Sequence, residues 1–429
     1  TWLGEVPYHW QVRRCRYLFR EVDRRSVDGS ETHLSMSQKL GLVPSDQVER
    51  TLTSTSYAGG KLCERGDLVL NRLKAHLGVF ARATQPGVIS PDYTVLRPTL
   101  AMEIRYFEET LRSPACRGEL RIRAKGIVEG FWRLYTDDFY DIRLPLPQPD
   151  EQAAIVRFLA HADRRIRRYI RAQQKLIKLL VEQKQAVIHQ AVTRGLDPGV
   201  PMKDSGLPWV PRVPAHWSLI PNKALLRRRK VLVGSRHTQF QLLSLTKRGV
   251  IVRDISQNKG KFSADLGTSQ EVRTGDLVFC LFDVPETPRT VGLSPHEGMI
   301  TGAYTVFESK DPSVAPFIEA FYIAMDDRKL LSPLYSGLRN TIPKDRLLGA
   351  KTPLPDGPER AAILDHIALA SGGHDAAIER AHREIDLLRE FRTRLVADVV
   401  TGQLDVRAAA AVLPDETTHD QPLEEAGDN

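Results

Sequence analysis

The chain has 429 residues, 41% hydrophobic and 27% charged, with a net charge of +8. That length predicts two or three domains rather than one core, and the lack of any apolar run of about 18 residues excludes a membrane-spanning helix. The four cysteines, Cys15, Cys63, Cys116 and Cys280, form no Cys-x-x-Cys pair, which argues against a zinc site or disulfide framework and for a reducing compartment.

In chain order, the opening Thr1-Trp2-Leu3-Gly4-Glu5 has neither the basic nor the apolar region of a signal peptide, so the expected location is cytoplasmic. Trp2, Pro7, His9 and Trp10 then introduce a pattern that returns about 208 residues later as Trp209, Pro214, His216 and Trp217. Gly66-Asp67-Leu68-Val69 returns as Gly275-Asp276-Leu277-Val278, Tyr93-Thr94-Val95 as Tyr304-Thr305-Val306, and Pro145-Leu146-Pro147 as Pro353-Leu354-Pro355. The order and spacing identify an internal duplication. Nothing before Thr1 matches Met202–Leu207, so the repeat predicts that a few residues are missing there.

The first part of each repeat reads as mixed α/β. Short apolar runs bounded by Gly, Pro and Asp predict strands at 67–70, 78–81, 94–96 and 277–281. Helices are expected at 101–111 and 316–325. His9 and His216, each beside Trp and Pro, are expected to pack or cap.

The second part of each repeat is a long helix. From Asp150 to Arg194 there is no Pro or Gly, and Ile155, Leu159, Ala162, Ile166, Tyr169, Leu176, Leu180, Val187 and Ala191 recur with heptad-like spacing, Gln173 and Gln183 filling the seam. Asp150 or Glu151 would cap its start and Gly195 end it. The second copy carries Ile363, Ile367, Ala370, Ala377, Ala381, Ile385, Leu388, Leu395 and Val399, with His374 in register. Ser371-Gly372-Gly373 predicts a kink or break, since each Gly costs about 1 kcal/mol relative to Ala. Between Arg157 and Lys184 nine basic residues face two acids, whereas between Glu359 and Asp398 six face eight. Opposite signs favour pairing of the two helices as an antiparallel coiled coil through the seam residues Ile155, Leu159, Ile166, Leu176, Leu180, Ile363, Ile367, Ile385, Leu388 and Leu395.

A Trp-x₄-Pro-x-His-Trp start, a Gly-Asp-Leu strand, a Pro-Leu-Pro exit and the helix start Glu151-Gln152-Ala153-Ala154-Ile155 together resemble the specificity subunit of type I restriction–modification enzymes. The resemblance covers Trp2 to about Asp405. Its second copy departs at Pro358-Glu359-Arg360, where Glu-Gln is expected. It implies two tandem α/β (α+β) target-recognition domains, 1–149 and 195–357, each followed by a spacer helix, 150–194 and 358–402. An acidic tail, 403–429, reads as disordered. It further implies that each domain reads one half of a split, asymmetric site on double-stranded DNA, while the helices set the gap and dock two methyltransferase subunits. Motor–nuclease subunits would join, and the partners rather than this chain would use S-adenosylmethionine, ATP and Mg²⁺.

Phosphate contacts need Lys and Arg, and base edges suit Arg for guanine and Asn or Gln for adenine. Candidates in the first domain are Gln38, Lys39, Arg72, Lys74, Lys125 and Arg133; in the second they are Lys247, Arg248, Lys259, Lys261, Arg289, Arg339 and Asn340. Lys125–Arg133 and Ser336–Asn340 occupy the same place ahead of Pro-Leu-Pro, which makes them the leading pair of loops. Phe131 and Trp132 within the first are equally suited to a core.

No catalytic centre is legible. There is no Asn/Asp-Pro-Pro-aromatic box, no Gly-x-Gly loop for S-adenosylmethionine and no Gly-x₄-Gly-Lys-Ser/Thr loop for ATP. Pro149-Asp150 and Glu182-Gln183-Lys184 mimic a nuclease pattern, but one helix would hold them about 48 Å apart. Two other readings stay open: an enzyme with a diffuse active site, and a coiled-coil scaffold whose heads bind protein.

Overall fold

The computed structural model of the chain describes residues 2–37, 40–48, 57–126, 132–253 and 266–414. The first repeat contains β1 (Gln11–Arg14), β2 (Phe19–Val22), β3 (Leu34–Ser37), β4 (Gly41–Pro44), β5 (Lys61–Cys63), β6 (Leu68–Asn71), β7 (Phe80–Arg82), β8 (Gly87–Ile89), β9 (Tyr93–Pro98), α1 (Ile104–Arg112), α2 (Pro114–Arg123), α3 (Thr136–Tyr140), β10 (Arg143–Leu146) and the long α4 (Pro149–Arg194). The second contains β11 (Met202–Leu207), β12 (Val210–Pro214), β13 (Ser218–Pro221), α5 (Asn222–Leu225), β14 (Leu226–Arg229), β15 (Leu243–Thr246), β16 (Gly249–Val252), β17 (Gln270–Val272), β18 (Leu277–Cys280), β19 (Val291–Leu293), β20 (Gly298–Ile300), β21 (Tyr304–Ser309), α6 (Ala315–Asp327), α7 (Lys344–Gly349), β22 (Lys351–Leu354) and the long α8 (Gly357–Val400). A short α9 (Arg407–Ala411) follows.

The two sets of strands pair identically. A four-stranded sheet ordered β2-β9-β6-β7 in one copy is β14-β21-β18-β19 in the other. The pairs β1–β10, β3–β4 and β5–β8 return as β13–β22, β15–β16 and β17–β20, and the hairpin β11–β12 is extra to the second copy. All these ladders are antiparallel, so each head is α+β.

The chain folds as two compact units, residues 1–173 with 383–429, and residues 174–382. In the first, strand alternation in β6 sends Leu68 and Leu70 into a core with Trp10, Phe19, Phe80, Tyr106, Phe107 and Phe139, while Val69 joins a second cluster with Leu34, Leu42 and Val95. In the second unit Leu277 and Phe279 face Trp217, Phe307, Phe317 and Phe321, while Val278 faces Leu243, Val250 and Ile300. Burying both faces of one strand explains why these runs read as continuous apolar segments rather than as alternation.

The repeated histidines each meet the start of a long helix through an acidic side chain, where packing or capping was expected. His9 Nε2 meets Glu151 in the first turn of α4 at 3.0 Å, and His216 Nε2 meets Glu359 in the first turn of α8 at 2.7 Å. Gly195 ends α4 with φ +74°, a left-handed conformation that glycine adopts without strain.

Along α4 the seam departs from expectation by one residue. Tyr169 and Leu176 are exposed, and Ile170 and Ile177 are half-buried in their place. Both alternatives are apolar at adjacent positions, so spacing alone does not separate them. The covered line runs through buried Ile166 and half-buried Ile170, Gln173, Ile177, Leu180 and Lys184, a regular four–three alternation. The other seam residues, Ile155, Leu159, Ile363, Ile367, Ile385, Leu388 and Leu395, are buried or half-buried. The break expected at Ser371-Gly372-Gly373 does not occur, since a single helix of 44 residues crosses it. Two glycines costing about 1 kcal/mol each do not outweigh the packed turns on either side.

Within the first unit Asp163 pairs with Arg392 (2.5 Å) and Gln173 donates to Glu384 (2.6 Å), so α4 and α8 run in opposite directions there. Within the second unit Lys184 reaches both carboxylate oxygens of Asp375 at 2.7 Å. The Lys184 pair follows the expected charge asymmetry, whereas the Asp163 pair reverses it.

Candidate nucleic-acid interface

In the first head the leading loop is described at its base, since 127–131 lie outside the described residues. Lys125 and Arg133 form an isolated antiparallel bridge at its base, exchanging N–H···O bonds of 2.9 and 2.8 Å. The loop docks on the end of β6, where Leu134 N–H donates to the Arg72 carbonyl at 3.0 Å. Trp132 is half-buried rather than in the core. His76 meets its ring edge-on at 5.4 Å, and the Arg121 guanidinium lies 5.4 Å from its centroid. Partial burial and the Arg121 charge hold His76 below the ordinary imidazole range. Asn71 caps the turn after β6 by accepting from Leu73 and Lys74 N–H, which places exposed Lys74 in the same group. Arg72 is more committed, donating to the Asp92 carbonyl at 2.8 Å. Lys125 reaches Asp138 at 2.7 Å while staying largely exposed.

The second head repeats this construction. Ser336 and Thr341 form the bridge, and Ile342 N–H donates to the Leu281 carbonyl at 2.8 Å, the counterpart of the Leu134–Arg72 bond. Four exposed residues, Gly337, Leu338, Arg339 and Asn340, make the tip. Asn340 adopts φ +44° and Gly337 φ +71°, positions where Asn and Gly are favoured. The Arg339 carbonyl accepts from Asp283 N–H at 3.0 Å, which fixes the loop while the guanidinium faces solvent.

A further pair of hairpins matches. Lys247 and Arg248 are the two exposed residues of the β15–β16 turn, between paired Thr246 and Gly249. Their counterparts Gln38 and Lys39 lie between β3 and β4 but outside the described residues, as do Lys259, Lys261 and Phe131. Arg289 is half-buried and ion-paired with Asp327 at 2.8 Å, so its charge is already engaged.

Sequence reasoning missed His76 and Arg121, whose roles follow from packing around Trp132. It also passed over Arg228, Lys230 and Lys344, although the run Arg227-Arg228-Arg229-Lys230 was available as a signal. No group of three or more potential metal ligands is found among the described residues.

These observations define a protein with two homologous α+β heads, each seated on the start of a long helix and each presenting a docked hairpin. No protein-family model and no curated protein matches the chain. Solved structures do match. One, from work on complex assembly and conformational transition of the type I R-M system, aligns over 93% of this chain and 100% of its own at 12% identity and TM-score 0.68. The HsdS subunit from Thermoanaerobacter tengcongensis aligns over 93% of this chain and 98% of its own at 14% identity and TM-score 0.52. The chain has the fold of HsdS.

Proposed function

We propose that this chain is the sequence-specific DNA-binding subunit of a type I restriction–modification complex, reading a bipartite, asymmetric site with one half-site per head. The observation that carries this is the pair of docked hairpins. Their anchoring bonds, Leu134 to Arg72 and Ile342 to Leu281, are the same, but the sequences enclosed between the bridge residues differ. Equal scaffolds with unequal tips suit the reading of two different short sequences. Base edges in the major groove then discriminate through bidentate side chains such as Arg339 and Asn340.

In this reading 1–149 and 195–357 are the target-recognition domains and 150–194 and 358–402 are spacer helices, paired as an antiparallel coiled coil that fixes the gap. Two methyltransferase subunits dock on the helices, and motor–nuclease subunits join them in the cytoplasm. The chain itself is non-catalytic. Its partners supply the chemistry with S-adenosylmethionine, ATP and Mg²⁺.

Co-expression with the neighbouring methyltransferase gene, followed by mapping of methylated adenines, tests the proposal. A split motif with a constant gap is the expected result. Methylation that is absent, or that follows one continuous motif, overturns it.

A further inference from the structure

On β14 the side chains alternate between two faces. Arg227 pairs with Glu308 at 2.7 Å, and Arg229 with Asp276 at 2.9 Å, so these two are held within the head. Arg228 lies between them and Lys230 follows the strand. Both are exposed, and neither has an ion-pair partner among the described residues. A third cation joins them from α7. The short α5 runs directly into β14, and its Asn222 is tied to α7 by a side-chain bond to the Leu347 carbonyl (2.7 Å) and a backbone bond to the Ala350 carbonyl (2.8 Å). Lys344 is the first residue of α7, three positions after the hairpin closes at Thr341. Partial burial, with the charges of Arg228 and Lys230, holds the Lys344 ammonium below the usual lysine range. Three mutually repelling cations thus share one patch.

The first head is built the other way at the same positions. In β2, Glu21 stands where β14 has Arg228, and Asp23 where Lys230 follows. They hold the buried Lys61 ammonium at 3.2 and 3.7 Å. Thr136, the first residue of α3, replaces Lys344. The heads share a scaffold but not this charge.

We propose that Arg228, Lys230 and Lys344 form a phosphate-holding face on the second head, beside its hairpin, so that the DNA backbone is gripped unequally by the two heads. This rests on the DNA-reading function. The patch carries no sequence information. It anchors the second head on the duplex while the hairpin reads bases, and the repulsion among its cations is relieved when phosphates arrive.

The test is binding of the full chain to a mixed-sequence 40-base-pair duplex across a salt series. Each phosphate contact contributes about 0.9 to the slope of log affinity against log salt. The triple variant Arg228→Gln, Lys230→Gln, Lys344→Gln should lose about 2.7 of that slope, so a threefold rise in salt weakens it ~20-fold less than the unmodified chain. Its thermal melting temperature should not fall, because the three side chains bear no ion pair among the described residues and their mutual repulsion is removed. A triple variant with the unmodified slope overturns the clamp and leaves the DNA-reading function standing. An equal loss in the control Arg65→Gln, Arg143→Gln, Arg212→Gln, which removes the same net charge elsewhere, also overturns it. Absence of salt-dependent binding by the unmodified chain overturns the DNA-reading function itself.

Discussion

The Nε2 atom of His9 lies 3.0 Å from Oε2 of Glu151, joining the entrance of the first head to the first turn of the helix that leaves it. His216 and Glu359 repeat the contact, and there the Trp217 indole N–H also donates to the Glu359 carboxylate at 3.0 Å. A carboxylate in the first turn of a helix is favoured by the helix dipole, so one group seats the helix and receives the head. Glu359→Ala leaves the buried Trp217 N–H without its acceptor, which costs about 1–3 kcal/mol. Glu151→Ala strands no indole, since the Trp10 N–H has no acceptor there already, and should cost less. Glu359→Gln keeps an acceptor oxygen and should recover part of the loss. Denaturant unfolding of the three variants checks the order, and equal losses for Glu151→Ala and Glu359→Ala contradict it.

Arg360 shows how the second copy departs from the first without losing its structure. Gln152 is buried and donates to the Pro147 carbonyl at 2.9 Å. Arg360, one repeat later, donates to the Pro355 carbonyl at 3.2 Å and also reaches Ser313 at 3.0 Å. Both side chains close the Pro-Leu-Pro exit onto the helix start. Arg360→Gln should therefore cost about 1 kcal/mol or less, as a change at a half-buried position that can keep the bond to Pro355 and gives up the one to Ser313. Gln152→Arg should be far worse, because this buried side chain also accepts the Glu103 N–H through its amide oxygen at 2.9 Å, which a guanidinium cannot do. Thermal melts of the two reciprocal variants decide the matter; similar losses would mean that the sites are not equivalent.

The duplication was legible because motif residues hold the same places: Asp67 and Asp276 immediately precede β6 and β18, and Tyr93 and Tyr304 open β9 and β21. Pairing partners were not legible. Asp67 takes its arginine from β9 as Arg97, whereas Asp276 takes Arg229 from β14, and no spacing announces the exchange. The seam of α4 was ambiguous wherever two apolar residues adjoin, as at Tyr169-Ile170 and Leu176-Ile177. The basic run at 227–230 hid its meaning for a related reason. Strand alternation divides it into ion-paired Arg227 and Arg229 and free-facing Arg228 and Lys230, a division that appears only once β14 is known to be a strand. At the hairpins the positional match before Pro-Leu-Pro was readable, but the bonds that dock both tips were not.

Gly195 and Gly402 occupy equivalent left-handed positions, φ +74° and +78°, just past the two long helices. A Cβ on Gly402 would collide with the Pro7 ring and approach Trp10 to 3.1 Å, whereas one on Gly195 would meet the Glu359 carboxylate at 3.0 Å, the far end of a side chain that can shift. Each Ala pays about 1–2 kcal/mol for the left-handed backbone. Gly402→Ala adds overpacking against a rigid ring, about 1–3 kcal/mol more. Urea unfolding should therefore show a larger loss for Gly402→Ala than for Gly195→Ala, and the reverse order would place the motif incorrectly.

Arg339 separates reading from architecture. Its backbone carbonyl, not its guanidinium, docks the hairpin on Asp283, so Arg339→Ala should leave the loop in place and the melting temperature unchanged. A bidentate arginine contributes about 1–3 kcal/mol of discrimination at one base pair. Mapped methylation by the assembled complex should then relax at one position of a single half-site, with the other half-site and the gap intact. Relaxation spread over both half-sites would mean that Arg339 acts through general affinity. An unaltered motif would remove it from the reading surface and leave Asn340 as the base-reading candidate of that tip.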